Sequence, residues 1–344
     1  MRNELTIACG AGLLLGACGG ETVERPPPPP VDWRSFEVRG VPDAGARGPT
    51  ARERAVGEAY TAALGAPGFA PLGPQLDDDV HFAFPGLEDA HGREAVMRSH
   101  DALFGSFDSR RVAMTRAWRT DSAQCVEWTM TGLQTRSWMG VIASQKPVTF
   151  KGLTLLWTRD DGAITDVHVY FDVALVKAQL GVGPKELLAL PAPPVPSGAP
   201  QTYEQAGTAG EKAGVDVVAA SLDALEKNSE GVFVDARTDD FEAYTLERAV
   251  PAHGKDEARA YFKAMHKAIG QLDTTIDNAW GVGQFAVVEY SIAGEQLGPI
   301  GWLPAQRDKV VRLHVVDVNE LHDGRIARTW RYDNPAELLP PAAR

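Results

Sequence analysis

A chain of 344 residues with 44% hydrophobic and 23% charged side chains has the composition of a globular protein long enough for two domains. Its formal charge of −12 excludes a surface built to wrap a nucleic-acid backbone, which requires a basic stripe. Cys9 and Cys18 lie at the extreme N-terminus, leaving only Cys125 further on, so no disulfide framework is available to the folded part. Cys125 sits in a strand-like stretch without a Cys-His signature and reads as a small buried hydrophobe.

From the N-terminus, Arg2 precedes a short run of small and apolar residues, 5–16. That run is too short to span a bilayer but suits the core of a signal peptide. Leu15-Gly16-Ala17-Cys18 resembles a bacterial lipobox. The resemblance implies that residues 1–17 are a cleaved lipoprotein signal peptide and that the Cys18 thiol is lipidated. With Gly19 after the cysteine, it also implies an outer-membrane anchor facing the periplasm. Five prolines, Pro26 to Pro30, form a stiff polyproline spacer, and residues 18–50 read as a tether.

Residues 52–64 place Val56, Ala59, Tyr60, Ala63 and Leu64 on one helical face, stopped by Gly65 and Pro67. Residues 77–86 form a short strand carrying His81, and His91-Gly92 leads into a second helix with Val96, His100, Leu103, Phe104 and Phe107 on its stripe. His100 reads as a satisfied core residue. Four strands follow, over 112–118, 125–133, 148–157 and 164–172. The last leaves an Asp160-Asp161-Gly162 turn and alternates strictly. Ile164, Asp166, His168, Tyr170 and Asp172 share one face, and Thr165, Val167, Val169 and Phe171 the other.

The pattern then repeats at an offset of 162 (253 − 91): His91 and His253, Trp118 and Trp280, Glu127 and Glu289, Gly162 and Gly324. A period this long indicates domain duplication rather than a solenoid. The second copy carries helical patterns over 215–225 and 256–272 and strand patterns over 241–245, 286–294, 310–321 and 326–333. The first domain is assigned to 51–180, the second to 207–340, and the Pro/Gly/Ala-rich stretch 181–206 to a linker. Helices followed by a meandering sheet predict an α+β class, each domain a curved antiparallel sheet covered by its N-terminal helices.

Leu76-Asp77-Asp78-Asp79-Val80, His91-Gly92-Arg93-Glu94-Ala95, Lys146-Pro147-Val148 with Gly152, Asp161-Gly162-Ala163-Ile164 and a closing aromatic-Asp pair together resemble a SnoaL-like domain, of the nuclear-transport-factor-2-like superfamily. The resemblance covers about 51–180 and, more loosely, 207–340. It implies two tandem cone-shaped α+β barrels that pack on each other as a pseudo-dimer. It further implies a pocket for a small, largely apolar molecule, and cofactor-free acid/base chemistry of the cyclase or isomerase type.

Such chemistry needs a desolvated carboxylate whose pKa rises toward the working pH. Asp166 and Asp172 are the candidates, with His168 between them on the same face. At the matching positions the second copy has Ile326, Arg328, Trp330 and Tyr332, of which the Ile/Trp/Tyr set marks the face as inward. On that reading Asp166 and His168 point into the first cone, and His81, Trp128, Tyr170, Trp330 and Tyr332 are candidate ligand contacts. Arg328 in place of the Asp makes the second copy a partner or binder. The sequence contains no HExxH or CxxC spacing, P-loop, GxSxG or dinucleotide fingerprint, so no metal and no cofactor is expected. The leading expectation is an envelope-tethered lipoprotein, touching the membrane through its lipid only, whose first domain does acid/base chemistry. The alternative is a non-catalytic binding or structural module at the cell envelope.

Overall fold

A computed structural model of the chain describes residues 48–306 and 309–339. The expected signal peptide, Cys18 and nearly all of the tether lie outside these residues. In the first half, α1 (Ala51–Gly65) begins at Thr50, whose hydroxyl accepts from Glu53 N while the Glu53 carboxylate accepts from Thr50 N. This reciprocal pair satisfies two donors that a helix start otherwise leaves open. Next come β1 (Leu76–Ala83), β2 (Ala90–His91) and α2 (Arg93–Phe104). The meander is β3 (Phe107–Arg119), β4 (Ala123–Gln134), β5 (Pro147–Thr158) and β6 (Ile164–Tyr170). After it the chain forms α3 (Val173–Gln179), α4 (Lys185–Leu188) and β7 (Gln201–Glu204).

The second half repeats the plan. Helix α5 (Ala209–Glu226) starts with the same capping box, here Thr208 and Glu211, and is followed by α6 (Glu230–Asp235). Strands β8 (Arg237–Thr245) and β9 (Ala252–His253) precede α7 (Gly254–Ala268). The meander is β10 (Ile269–Val282), β11 (Phe285–Gln296), β12 (Val310–His322) and β13 (Arg325–Asp333). The helical pattern expected to reach residue 272 stops at Ala268, because Ile269 adopts extended backbone and opens β10.

Both sheets are mixed rather than purely antiparallel, and neither closes into a barrel. The first has the order β2-β1-β6-β5-β4-β3-β7, the second β10-β11-β12-β13-β8-β9. Strand β1 lies parallel to β6, and β8 parallel to β13, so the first strand of each half is joined to its last. Strand β7 comes from the stretch assigned to the linker and adds in parallel to β3, pairing Arg116 with Gln201 through Arg119 with Glu204. It covers the free edge of the first sheet.

Each sheet has one face under its own helices and one against the other half. In the first half Val167, Val169 and Phe171 join Trp128 and Phe150 in a core with Tyr60 and Phe104 from the helices. Phe171 alone has ring centroids of Phe84, Phe150 and Phe104 at 4.9, 5.2 and 5.7 Å. Side chains of this size contribute about 1.5–3 kcal/mol each on full burial. The outer faces meet in a second apolar layer: Leu153, Leu155 and Tyr170 from one half, Val287, Val316 and Tyr332 from the other. The same patch is used on both sides, as in an isologous dimer.

Candidate functional site

The last strand of the first domain sits the other way round from the expected orientation. Val167, Val169 and Phe171 fill the first cone, so Asp166, His168 and Tyr170 lie on the outer face, toward the second domain. The cause is that both faces of β6 are covered. An apolar pair at 330 and 332 signalled burial, but burial against a partner sheet rather than inside a cone.

On that outer face Tyr170 Oη donates to Glu289 Oε1 at 2.7 Å. His168 Nδ1 reaches the same oxygen at 2.7 Å. A carboxylate can only accept, so Nδ1 carries the proton. Burial alone would lower the His168 pKa, but the charge and hydrogen bond of Glu289 raise it. Burial works against ionisation of Glu289 too, yet His168, Tyr170 and Asn278 hold its pKa below the ordinary value. The pseudo-symmetric arrangement surrounds Glu127, which accepts from Arg116 and Thr115 of its own domain and from Tyr332 of the other. Tyr170 and Tyr332, expected as ligand contacts, are thus cross-domain clasps.

The other sequence candidates disperse. Trp128 is a core residue, its Nε1 donating to Thr154 Oγ1 at 2.9 Å. Trp330 stacks on Tyr244 with centroids 5.6 Å apart and lies under the Arg116 guanidinium at 4.0 Å. With Tyr332 and Asp172 it borders an interdomain cleft of about 640 Å³ along which Pro191 to Pro194 run. Asp172 caps α3, accepting from Ala174 N at 2.7 Å and Leu175 N at 3.3 Å. Burial, and then the charge of Asp333, push its carboxyl up to about 7. His81 stands on β1 beside Asp166, with its Nδ1 3.4 Å from Asp166 Oδ1.

What the sequence reading missed is a cavity of about 430 Å³ inside the second cone. Its apolar wall includes Phe233, Phe241, Met265, Ile300 and Leu313. Its polar wall includes Arg237, Glu247, Asp317, Arg331 and Asp333, with Arg248 and Glu257 also on the lining. The substitutions that open it can be read at the 162 offset: Phe171 of the filled cone becomes Asp333, Trp128 becomes Tyr290 and Val169 becomes Arg331. Arg331 and Asp317 are cross-strand partners on β13 and β12. They form a two-pronged pair, Nε to Oδ1 at 2.9 Å and Nη2 to Oδ2 at 2.8 Å. Arg331 also donates to the hydroxyls of Tyr290, at 2.8 Å, and Tyr261. Such a fork fixes a guanidinium in one orientation. Arg237 lies 3.6 Å over the Phe233 ring, and burial, helped by the charge of Arg331, lowers its pKa to about 10.

Two further carboxyls of the cavity wall, Glu247 and Asp333, have perturbed acidity. Burial raises the Glu247 pKa strongly, with the charges of Asp333 and Asp172 adding to it. Burial likewise raises Asp333, against the opposing pull of Arg331. Glu247 Oε1 and Asp172 Oδ2 are buried with no hydrogen-bond partner among the described residues. A protonated acid beside a carboxylate of raised basicity can give and take a proton near neutral pH. The signal in sequence was the polar alternation Thr329, Arg331, Asp333, two of them charged, on a strand whose other face, Trp330 and Tyr332, is aromatic.

Comparison with known proteins accords with this architecture. Residues 54–180 match the family model for SnoaL-like polyketide cyclase, and residues 218–329 that for the SnoaL-like domain. Among solved structures, one similar fold is described as a SnoaL-like polyketide cyclase from Jannaschia sp. CCS1, at 19% identity and a TM-score of 0.34, covering 37% of this chain and 88% of that one. An LEH-like epoxide hydrolase from M. tuberculosis aligns at 19% identity and a TM-score of 0.31, covering 37% and 87%. A protein with a ketosteroid isomerase-like fold from Catenulispora acidiphila DSM 44928 aligns at 13% identity and a TM-score of 0.32, covering 37% and 95%. Among curated proteins none matches the chain. The chain carries two SnoaL-like domains in tandem, over 54–180 and 218–329, and belongs to that family.

Proposed function

We propose that the second domain binds a small, largely apolar molecule with one polar end and moves a proton at a carbon next to a carbonyl group. The observation that supports this most is the meeting, in one apolar-walled cavity, of the fixed Arg331 guanidinium with the Asp333 and Glu247 carboxyls. Arg331 and Tyr261 orient the polar end, Asp333 takes the proton and Glu247 returns one, so no electron acceptor is required. The first domain, filled by its own aromatic side chains, serves as the rigid half against which the second cone is built.

The test is hydrogen–deuterium exchange at the α-carbon of a small bicyclic ketone, followed by proton NMR. Exchange above the buffer rate that falls at least about 100-fold in Asp333→Asn is the expected result. Equal exchange in wild type and variant would remove the acid/base assignment. A binder without turnover is the second reading, favoured by Asp317, which already neutralises Arg331 and leaves less charge to act on a substrate. Saturable ketone binding without exchange would select it.

For location, we propose tethering to the cell envelope through a lipid on Cys18, a reading supported by Leu15-Gly16-Ala17-Cys18 and the proline spacer. Among the described residues no helix is long and apolar enough to cross a membrane. Detergent-phase partitioning of the chain, lost in Cys18→Ser, is the expected outcome. Aqueous partitioning of both forms would end the proposal.

A further inference from the structure

Outside the cavity, His81, Asp166 and His168 offer ligand atoms that all lie within 4.8 Å of one another. They come from two parallel strands. His81 pairs with Asp166 and Ala83 with His168 in the β1–β6 register, so the outer face of the sheet holds all three side chains side by side. Two imidazoles and one carboxylate form a donor set that takes zinc or iron(II) and leaves coordination positions open. The His81 Nδ1 to Asp166 Oδ1 separation of 3.4 Å equals the spacing of about 3.4 Å between two ligands in a tetrahedral shell with bonds near 2.1 Å.

The surroundings are those of a metal site as well. Each histidine has its second ring nitrogen on a carboxylate: His168 Nδ1 on Glu289 at 2.7 Å, and His81 Nε2 on Asp89 at 3.3 Å. This outer contact fixes the tautomer so that His168 Nε2 and His81 Nδ1 are left for an ion, and it raises their basicity as ligands. Ring packing holds the orientations: His91 stacks on His81 with centroids 4.8 Å apart, and Trp157 lies 4.7 Å from His168. The three candidate ligands are partly exposed, at 24%, 21% and 17% of their side-chain surface, so an ion can enter and keep a water.

We propose that His81, Asp166 and His168 form a binding site for one divalent transition-metal ion on the outer face of the first domain. Glu289 of the second domain is its supporting carboxylate. Occupancy is thereby linked to the packing of the two domains, because the ion orders a histidine whose other nitrogen is held across the interface. The site does not depend on the cavity of the second cone or on the reaction proposed for it.

The experiment titrates the purified full chain with Co²⁺, read by its visible absorption, and with Zn²⁺, read by calorimetry and by the shift in melting temperature. The wild type is expected to take one equivalent and to melt higher with Zn²⁺. His81→Gln and His168→Gln each lose at least about 100-fold in affinity, Glu289→Gln loses about 10–100-fold, and His253→Gln binds as wild type. Circular dichroism checks that each variant is folded. Absence of binding in the wild type overturns the proposal. So does unchanged affinity in a folded His81→Gln, or an equal loss in His253→Gln.

Discussion

Tyr170 donates its phenolic proton to Glu289 of the other domain at 2.7 Å, and Tyr332, 162 residues further along the chain, makes the mirror-image bond to Glu127. The two glutamates are buried and are neutralised differently. Glu127 has Arg116 from its own sheet, whereas the matching position is Asn278 and Glu289 takes its positive charge from His168 across the interface. Loss of either tyrosine hydroxyl leaves a buried carboxylate one donor short. Tyr170→Phe and Tyr332→Phe are each expected to cost about 1.5–3 kcal/mol in urea unfolding. A change below about 0.5 kcal/mol in both would show that the clasps contribute nothing.

The His168–Glu289 pair gives the interface a pH window. His168 has a raised folded pKa, so its contribution is complete below its ordinary value of 6.5 and is lost as pH rises through the folded pKa. Glu289 has a depressed one, so its contribution is complete above 4.5 and is lost as pH falls through the folded pKa. Melting temperature against pH should show a component that peaks between these limits. Glu289→Gln should flatten it, and an identical profile in that variant would refute the assignment.

His100 titrates in the opposite sense. Its Nδ1–H donates to Val96 O at 2.8 Å and its Nε2 accepts from Tyr60 Oη at 3.0 Å, inside an aromatic core. Burial lowers its pKa to about 4, so the neutral ring supports the fold above 6.5 and protonation favours unfolding as pH falls between the two values. Acidification across that range is expected to remove on the order of 3 kcal/mol from the first domain. An NMR titration that placed His100 near 6.5 would contradict this.

Gly152 is the point at which the first core admits Trp128. A Cβ at 152 would meet the Trp128 six-membered ring directly. Gly152→Ala is therefore expected to cost about 1–3 kcal/mol through overpacking and to alter the near-ultraviolet dichroism. Wild-type stability with an unchanged aromatic signal would show that the ring has room to shift.

Asp333 and Arg331 should separate stability from function. A carboxyl with a raised folded pKa opposes folding as pH rises above its ordinary value, so Asp333→Asn should gain about 0.5–2 kcal/mol at pH 7 while losing α-carbon exchange. Arg331→Met strands Asp317 and should lose about 3–5 kcal/mol. Chemical denaturation of both variants decides the matter, and destabilisation by Asp333→Asn would mean that this carboxylate is a structural partner.

Helices α1 and α2, the β-meander and its repetition were legible because local period and turn residues determine them. The orientation of β6 was not. Alternation separates two faces, and when both are covered it cannot say which covering is the cone. Trp330 and Tyr332 looked inward because an interface between sheets selects the same side chains as a core. The cavity was hidden for a different reason: Arg331 and Asp317 meet only through strand register, and each alone resembles a solvent-facing charge. His81 and Asp166 stand 85 residues apart (166 − 81), and only the parallel β1–β6 pairing joins them.

Because one chain supplies both sides of the isologous face, the halves need not be alike. In a dimer of identical subunits every substitution appears twice, so carving a chamber in one subunit hollows the other and softens both walls of the shared contact. Here Phe171 keeps the first half solid while Asp333, its counterpart, opens the second. Covalent fusion has released this assembly from symmetry, allowing one half to act as an anvil and the other as a vessel.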